Sequence, residues 1–116
     1  MPAPRTPRRV ASVIRLRPEH AEKYRELHRA VPRPVLDALS RAHVTNYSIF
    51  LRDHTLFAYF EYTGDDYEAD MADMAAIAAD PETQQWWTLT DPCQQPLDSA
   101  QPGERWVTGE ELFHLD

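Results

Sequence analysis

The chain has 116 residues with a net charge of −7, made up of 12 basic and 19 acidic side chains, and a single cysteine. At that length one domain buries most of its apolar surface without metal or disulfide support, and Cys93 has no partner for an internal bridge. No apolar run follows the basic opening MPAPRTPRR, so neither a secretory signal nor a membrane span is expected and the cytoplasm is the expected compartment.

The charge is unevenly spread: ten basic and four acidic residues precede or include Arg41, and two basic and fifteen acidic ones follow it. Arg5, Arg8 and Arg9 lie in a Pro-rich stretch without interleaved aromatics, the pattern of a solvated terminus rather than a nucleic-acid surface. Residues 1–8 are read as a flexible arm and residues 9–116 as one domain. From Arg9 to Leu16 the β-branched Val10, Val13 and Ile14 favour a strand. Pro18 then opens a helix, where its missing N–H costs nothing, with Glu19 and Glu22 at the positive end of the dipole. Ala21, Tyr24, Leu27, His28 and Val31 recur at helical spacing and form its inward stripe.

Pro32 and Pro34 push the residues before them out of the α region, so the helix breaks or kinks there. A second helical piece is expected over Val35–Ala42, with Val35, Leu36 and Leu39 on one side. Val44–Leu51 alternates as a strand, Arg52–Thr55 forms a hairpin loop with Asp53 as turn former, and Leu56–Tyr62 returns. Asp65, Asp66, Glu68 and Asp70 crowd the start of a long helix whose stripe is Tyr67, Met71, Met74 and Ala78. Asp80 is the expected cap of a shorter helix with Pro81 in its first position, and this helix carries Trp86 and Trp87. A Pro-rich excursion runs from Asp91 to Gly109, and Glu110–Leu115 reads as a last strand.

The order strand, helix, strand, strand, helix, strand is the α+β, ferredoxin-like βαββαβ arrangement, an antiparallel sheet with helices on one face. The open face would carry apolar side chains such as Ile49 or Phe50, and Phe57 or Phe60. A homodimer packing sheet against sheet would cover them.

The chemistry concentrates in a few positions. Tyr24 and His28 are four residues apart and share a helix face, so a proton donor or acceptor stands beside a hydrogen-bonding phenol. Adjacent helical residues point about 100° apart, so Trp86 and Trp87 cannot both enter one core, and at least one indole is expected at a cavity or surface. An aromatic wall with Tyr24, Tyr47 and His28 suits a sugar, whose C–H face meets the ring while its hydroxyls find polar partners. The alternative is one core and one rim tryptophan. His20, His28, His43, His54 and His114 lack the spacing of a zinc site, and the three glycines make no nucleotide loop, so neither metal nor cofactor is expected. Cys93 has no visible feature that would activate it.

The runs YRELH (24–28), NYSIFL (46–51), LFAYFEY (56–62), WW followed by TDP (86–92) and the terminal EELFHLD resemble the L-rhamnose mutarotases over nearly the whole chain from Arg9 onward. The resemblance implies a dimeric α+β barrel that interconverts the α and β anomers of L-rhamnose without a cofactor. By position it also implies that His28 is the proton donor and that Tyr24, Tyr47, Trp86 and Trp87 contact the sugar. One departure stands out: a Trp-Pro-Glu-like segment usual in the family shortly after the histidine here reads Pro32-Arg33-Pro34. That leaves open the sugar, with L-fucose or a sugar of secondary metabolism as alternatives, and the second proton-transfer group, a tyrosine or a water held by Tyr24. The same architecture also serves polyketide cyclases, cofactor-free oxygenases and non-catalytic sugar-binding modules.

Overall fold

The structure, a computed structural model, describes residues 7–77 and 81–116, with side chains for all of these except 73–77. Most of the expected arm, the cap at Asp80 and the inward placing of Met74 and Ala78 therefore lie outside the described residues. Strand β1 spans Arg8–Leu16, and a 3-10 turn at Pro18–His20 leads into α1, Ala21–Leu27. Helix α2 (Arg33–Arg41), strands β2 (Val44–Arg52) and β3 (Thr55–Tyr62), and helices α3 (Tyr67–Ile77) and α4 (Pro81–Thr90) follow. A 3-10 turn at Asp91–Cys93 then delivers two short strands, β4 (Gln94–Gln95) and β5 (Val107–Thr108).

The sheet is antiparallel in the order β2-β3-β1-β4, with β5 also on β1, as the ferredoxin-like reading requires. Directly paired residues share a face. Ile14 pairs with Leu56 and Leu56 with Leu51, and this side packs against the helices: Ile14, Leu16, Leu56, Tyr24 and Cys93 form the buried cluster. The opposite side presents Val13, Phe57 and Phe50 in one cross-strand row, with Phe50 61% and Phe57 43% exposed. Of the alternatives open in sequence, Phe50 and Phe57 face outward, and Ile49 and Phe60 face the helices.

Local chemistry sets the element ends. Pro32 is the extended residue before α2 and Pro34 lies in its first turn, so the chain breaks between α1 and α2, and α2 begins two residues earlier than expected. Its buried side is Val35, Ala38 and Ala42, whereas Leu36 is exposed, a correction to the expected stripe. The hairpin needs only Asp53 and His54, with Arg52 opposite Thr55 and Asp53 at φ 55°, a conformation Asp tolerates. Asp66 caps α3 by accepting the Ala69 N–H at 3.2 Å.

The last strand is not where alternation placed it. Val107 and Thr108 pair with Val13 and Ser12, and Gly109 donates its N–H to the Ala11 carbonyl at 2.7 Å. Beyond that point Glu110–Leu115 joins no strand, and Leu112, Phe113 and Leu115 are exposed. Alternation reports that a segment suits a half-buried surface, but within this chain that surface is absent.

Candidate functional site

Helix α1 ends at Leu27 and the next residue, His28, turns back on it. Its backbone N–H and its Nδ1 both meet the Tyr24 carbonyl, at 3.2 and 2.8 Å. A carbonyl only accepts, so Nδ1 carries a hydrogen and Nε2 is the nitrogen left for the cavity. The ring is half-buried, with its centroid 4.3 Å from that of Tyr24 and 5.0 Å, edge to face, from that of Trp86.

Helix α4 places its two indoles differently. Thr83, Trp86 and Thr90 form its buried line, so Trp86 stands in the wall beside His28. Trp87, about 100° around the helix, is half-buried and lines the adjoining hollows on both sides. The alternative of one core and one rim tryptophan is half right: Trp86 is buried, yet both rings border the cavity.

Tyr47 reaches the site through a β-bulge. Between Thr45, opposite Glu61, and Ser48, opposite Tyr59, the two residues Asn46 and Tyr47 stand against Phe60 alone. Asn46 takes φ 49° and anchors its amide on Glu61 at 3.1 Å. The extra residue resets the alternation, so Val44 and Tyr47 both face the helices. Tyr47 is 41% exposed overall, but its hydroxyl is crowded by protein, and desolvation, helped by nearby Tyr24, pushes its pKa up to about 12. Tyr24 is raised too, by burial first, with the Gln94 hydrogen bond pulling the other way. Both phenols therefore hold their protons at neutral pH.

All five residues singled out from sequence border one cavity of about 300 Å³, within the range of small-molecule sites. The lining also includes Ile49, Thr90 and Asp91, and sequence reasoning missed the part played by Gln94, Arg105 and Trp106. They come from the Pro-rich excursion, which carries no periodicity, and they reach the site because β4 and β5 pin both ends of that segment to β1. The excursion thus covers its own chain's cavity. Toward α2 the hollow continues between Val31, Val35, Leu36, Leu39 and Ile49, so the Pro32-Arg33-Pro34 departure borders an apolar wall. Cys93 is buried, its thiol is pushed up by desolvation, and it donates to the Leu89 carbonyl at 3.4 Å, which fits an inert thiol. Among the described residues no three His, Cys, Asp or Glu side chains converge to hold a metal ion.

The family model for L-rhamnose mutarotase matches residues 9–115. The chain is 34% identical over 96 residues to the L-rhamnose mutarotase of Listeria monocytogenes serotype 4b (strain F2365), covering 81% of this chain and 86% of that one. It is 31% identical over 112 residues to the L-rhamnose mutarotase of Lactiplantibacillus plantarum, covering 93% and 98%. In fold it is similar to the crystal structure of an L-rhamnose mutarotase from Formosa agariphila, with a TM-score of 0.68, 22% identity, and coverage of 94% of this chain and 99% of that one. The chain belongs to the L-rhamnose mutarotase family, enzymes that interconvert the anomers of that sugar.

Proposed function

We propose that the protein interconverts the α and β anomers of L-rhamnose in the cavity between α1, α4 and β2, with His28 moving the proton of the ring oxygen. The observation that carries this reading is the fixed Nδ1–H of His28, which leaves Nε2 for the cavity between Tyr24 and Trp86. Mutarotation needs one proton placed on the ring oxygen and one taken from the anomeric hydroxyl. The C1–O5 bond then breaks to give the open aldehyde, the C1–C2 bond rotates, and O5 attacks the other face of the carbonyl. Protonated His28 gives the first proton from Nε2 and recovers it on closure, while a second group does the reverse at the anomeric oxygen. General acid–base help of this kind contributes roughly 10² to 10⁴-fold.

The rings of Trp86 and Trp87 would bracket the C–H faces of the pyranose while the Tyr24 and Tyr47 hydroxyls bind its oxygens. The apolar wall of Val31, Val35 and Leu39 suits the methyl group of a 6-deoxy sugar. Saturation-transfer NMR on a panel of free sugars tests the reading: wild-type protein is expected to speed anomer exchange of L-rhamnose, and to favour it over L-mannose, which adds a hydroxyl at that methyl, by roughly 10 to 200-fold. No acceleration on any 6-deoxy aldose would contradict it. The family match favours neither the polyketide-cyclase nor the binding-module alternative.

The protein is further proposed to work as a cytoplasmic homodimer that needs no nucleic-acid partner. Support for the dimer comes from the outward row of Phe50, Phe57 and Val13, beside a tail whose Leu112, Phe113 and Leu115 lie exposed. Among the described residues no helix is long and apolar enough to cross a membrane.

A further inference from the structure

The excursion between β4 and β5 brings a three-member hydrogen-bond chain to the cavity. Arg105 Nη2 lies 3.1 Å from Gln94 Oε1 and 3.0 Å from the Asp91 carbonyl, and Gln94 Nε2 lies 3.2 Å from the Tyr24 hydroxyl. Each link has one permitted direction. A guanidinium has donors and no acceptor, so the amide must turn its oxygen toward Arg105. Its NH₂ then faces Tyr24 and has only hydrogens to offer, so the phenol oxygen accepts there. The hydroxyl hydrogen of Tyr24 must point elsewhere, and the space beside it is the cavity that Tyr24 shares with His28, Tyr47 and Trp86.

We propose that Arg105 and Gln94 are positioning residues that aim the Tyr24 proton at the sugar, which makes Tyr24 the group that exchanges a proton with the anomeric oxygen opposite His28. This rests on the mutarotase reading above. Every step balances: the Tyr24 proton, turned into the cavity, first passes to Nε2 of neutral His28 and leaves a Tyr24 oxyanion held by the Gln94 N–H; on ring opening that oxyanion takes the anomeric proton while the His28 imidazolium gives its Nε2 proton to the ring oxygen, and closure on the other face runs both transfers backward. The chain also does more than orient. Gln94 is 7% exposed and polarised by a cation, so its N–H stabilises negative charge on the phenol oxygen, which favours proton exchange by a tyrosine that burial otherwise holds in its neutral form. Neither residue is an obvious functional position in sequence, since both sit in a segment without periodicity.

The test reverses one link at nearly constant shape. In Gln94→Glu the introduced carboxylate still accepts from Arg105 but only accepts from Tyr24, so the phenol must donate to it and its proton leaves the cavity. Anomer exchange on L-rhamnose is expected to fall about 10 to 100-fold, mainly in kcat, and the Tyr24 ¹³Cζ titration to move to higher pH than in the wild type. Gln94→Leu, which offers Tyr24 nothing, should give a smaller loss and a smaller upward move. If a Gln94 variant fails to fold, Arg105→Met decides the matter, because freeing the amide to flip should reduce kcat and raise the Tyr24 titration from a side chain that is only half-buried. Wild-type exchange and unchanged Tyr24 titration in Gln94→Glu or in Arg105→Met would overturn the proposal. If the wild type itself does not accelerate exchange, the mutarotase reading fails, and the Tyr24 titration alone still decides whether the relay exists.

Discussion

The Nδ1 of His28 sits 2.8 Å from the carbonyl oxygen of Tyr24, one helical turn earlier. The relationship joins backbone to chemistry, because at the end of α1 the Tyr24 carbonyl takes the His28 backbone N–H and its imidazole together. It also fixes which ring nitrogen meets substrate. The consequence is visible without any sugar: ¹⁵N–¹H correlation of the neutral imidazole should show the hydrogen on Nδ1. A hydrogen on Nε2 would mean that the carbonyl does not hold the ring, and the assignment of Nε2 to the substrate would fall with it.

The bulge at Asn46 makes a separable prediction. Asn tolerates φ 49° and a β-branched residue does not, so Asn46→Val should cost about 1–2 kcal/mol in chemical denaturation. The same change should weaken sugar binding, because it displaces Tyr47. Asn46→Gly keeps the backbone conformation open and is expected to retain most of the activity. Equal stability of the valine and glycine variants would argue against a left-handed residue in the bulge.

Stability should also depend on pH through the end of the sheet away from the cavity. The Tyr62 hydroxyl donates to Asp70, which also meets His43 Nδ1 at 3.1 Å. Burial and that carboxylate push Tyr62 up to about 12, and the Tyr62 hydrogen bond, followed by His43, holds Asp70 below its usual range. Tyr62 keeps its proton more tightly when folded than when unfolded, so its contribution is whole below about pH 10 and disappears as pH rises through about 12. Asp70 works the other way. Its contribution is present above about pH 4 and is lost as pH falls through its lower folded value. Thermal melts followed by circular dichroism should therefore show Tyr62→Phe with a weaker loss of stability at both extremes, the alkaline remainder coming from Tyr24 and Tyr47. Parallel wild-type and Tyr62→Phe curves across both ranges would refute the coupling.

For the dimer, the cross-strand pair Phe50 and Phe57 is the place to intervene. Phe57→Glu puts a carboxylate in the middle of that row. Sedimentation velocity at micromolar concentration should give a dimer for the wild type and a monomer for the variant. A monomeric wild type would leave the exposed tail and the outward phenylalanines without the covering proposed for them.

Much of this was legible in the residues, and what was not has a physical cause. Alternation in Val44–Leu51 and Leu56–Tyr62 exposed the hairpin, because one side of each strand faces the helices. The i, i+4 spacing of Tyr24 and His28 and the adjacent indoles exposed one side of the cavity. Gln94, Arg105 and Trp106 were hidden because tertiary pairing with β1, not local pattern, brings them in. The expected strand at Glu110–Leu115 had a sound pattern, but pattern reports suitability for pairing and not the partner. Tyr47 was found for its chemistry, while the bulge that aims it was not, since a shift of register leaves no mark in composition.

The most direct test of the central claim is anomer exchange of L-rhamnose, followed by saturation-transfer NMR with wild-type and His28→Ala protein side by side. Acceleration is expected from the wild type and a loss of about 10² to 10⁴-fold in the variant, with the fold intact by circular dichroism. Exchange at the wild-type rate in folded His28→Ala protein would contradict that expectation and take the imidazole out of the reaction.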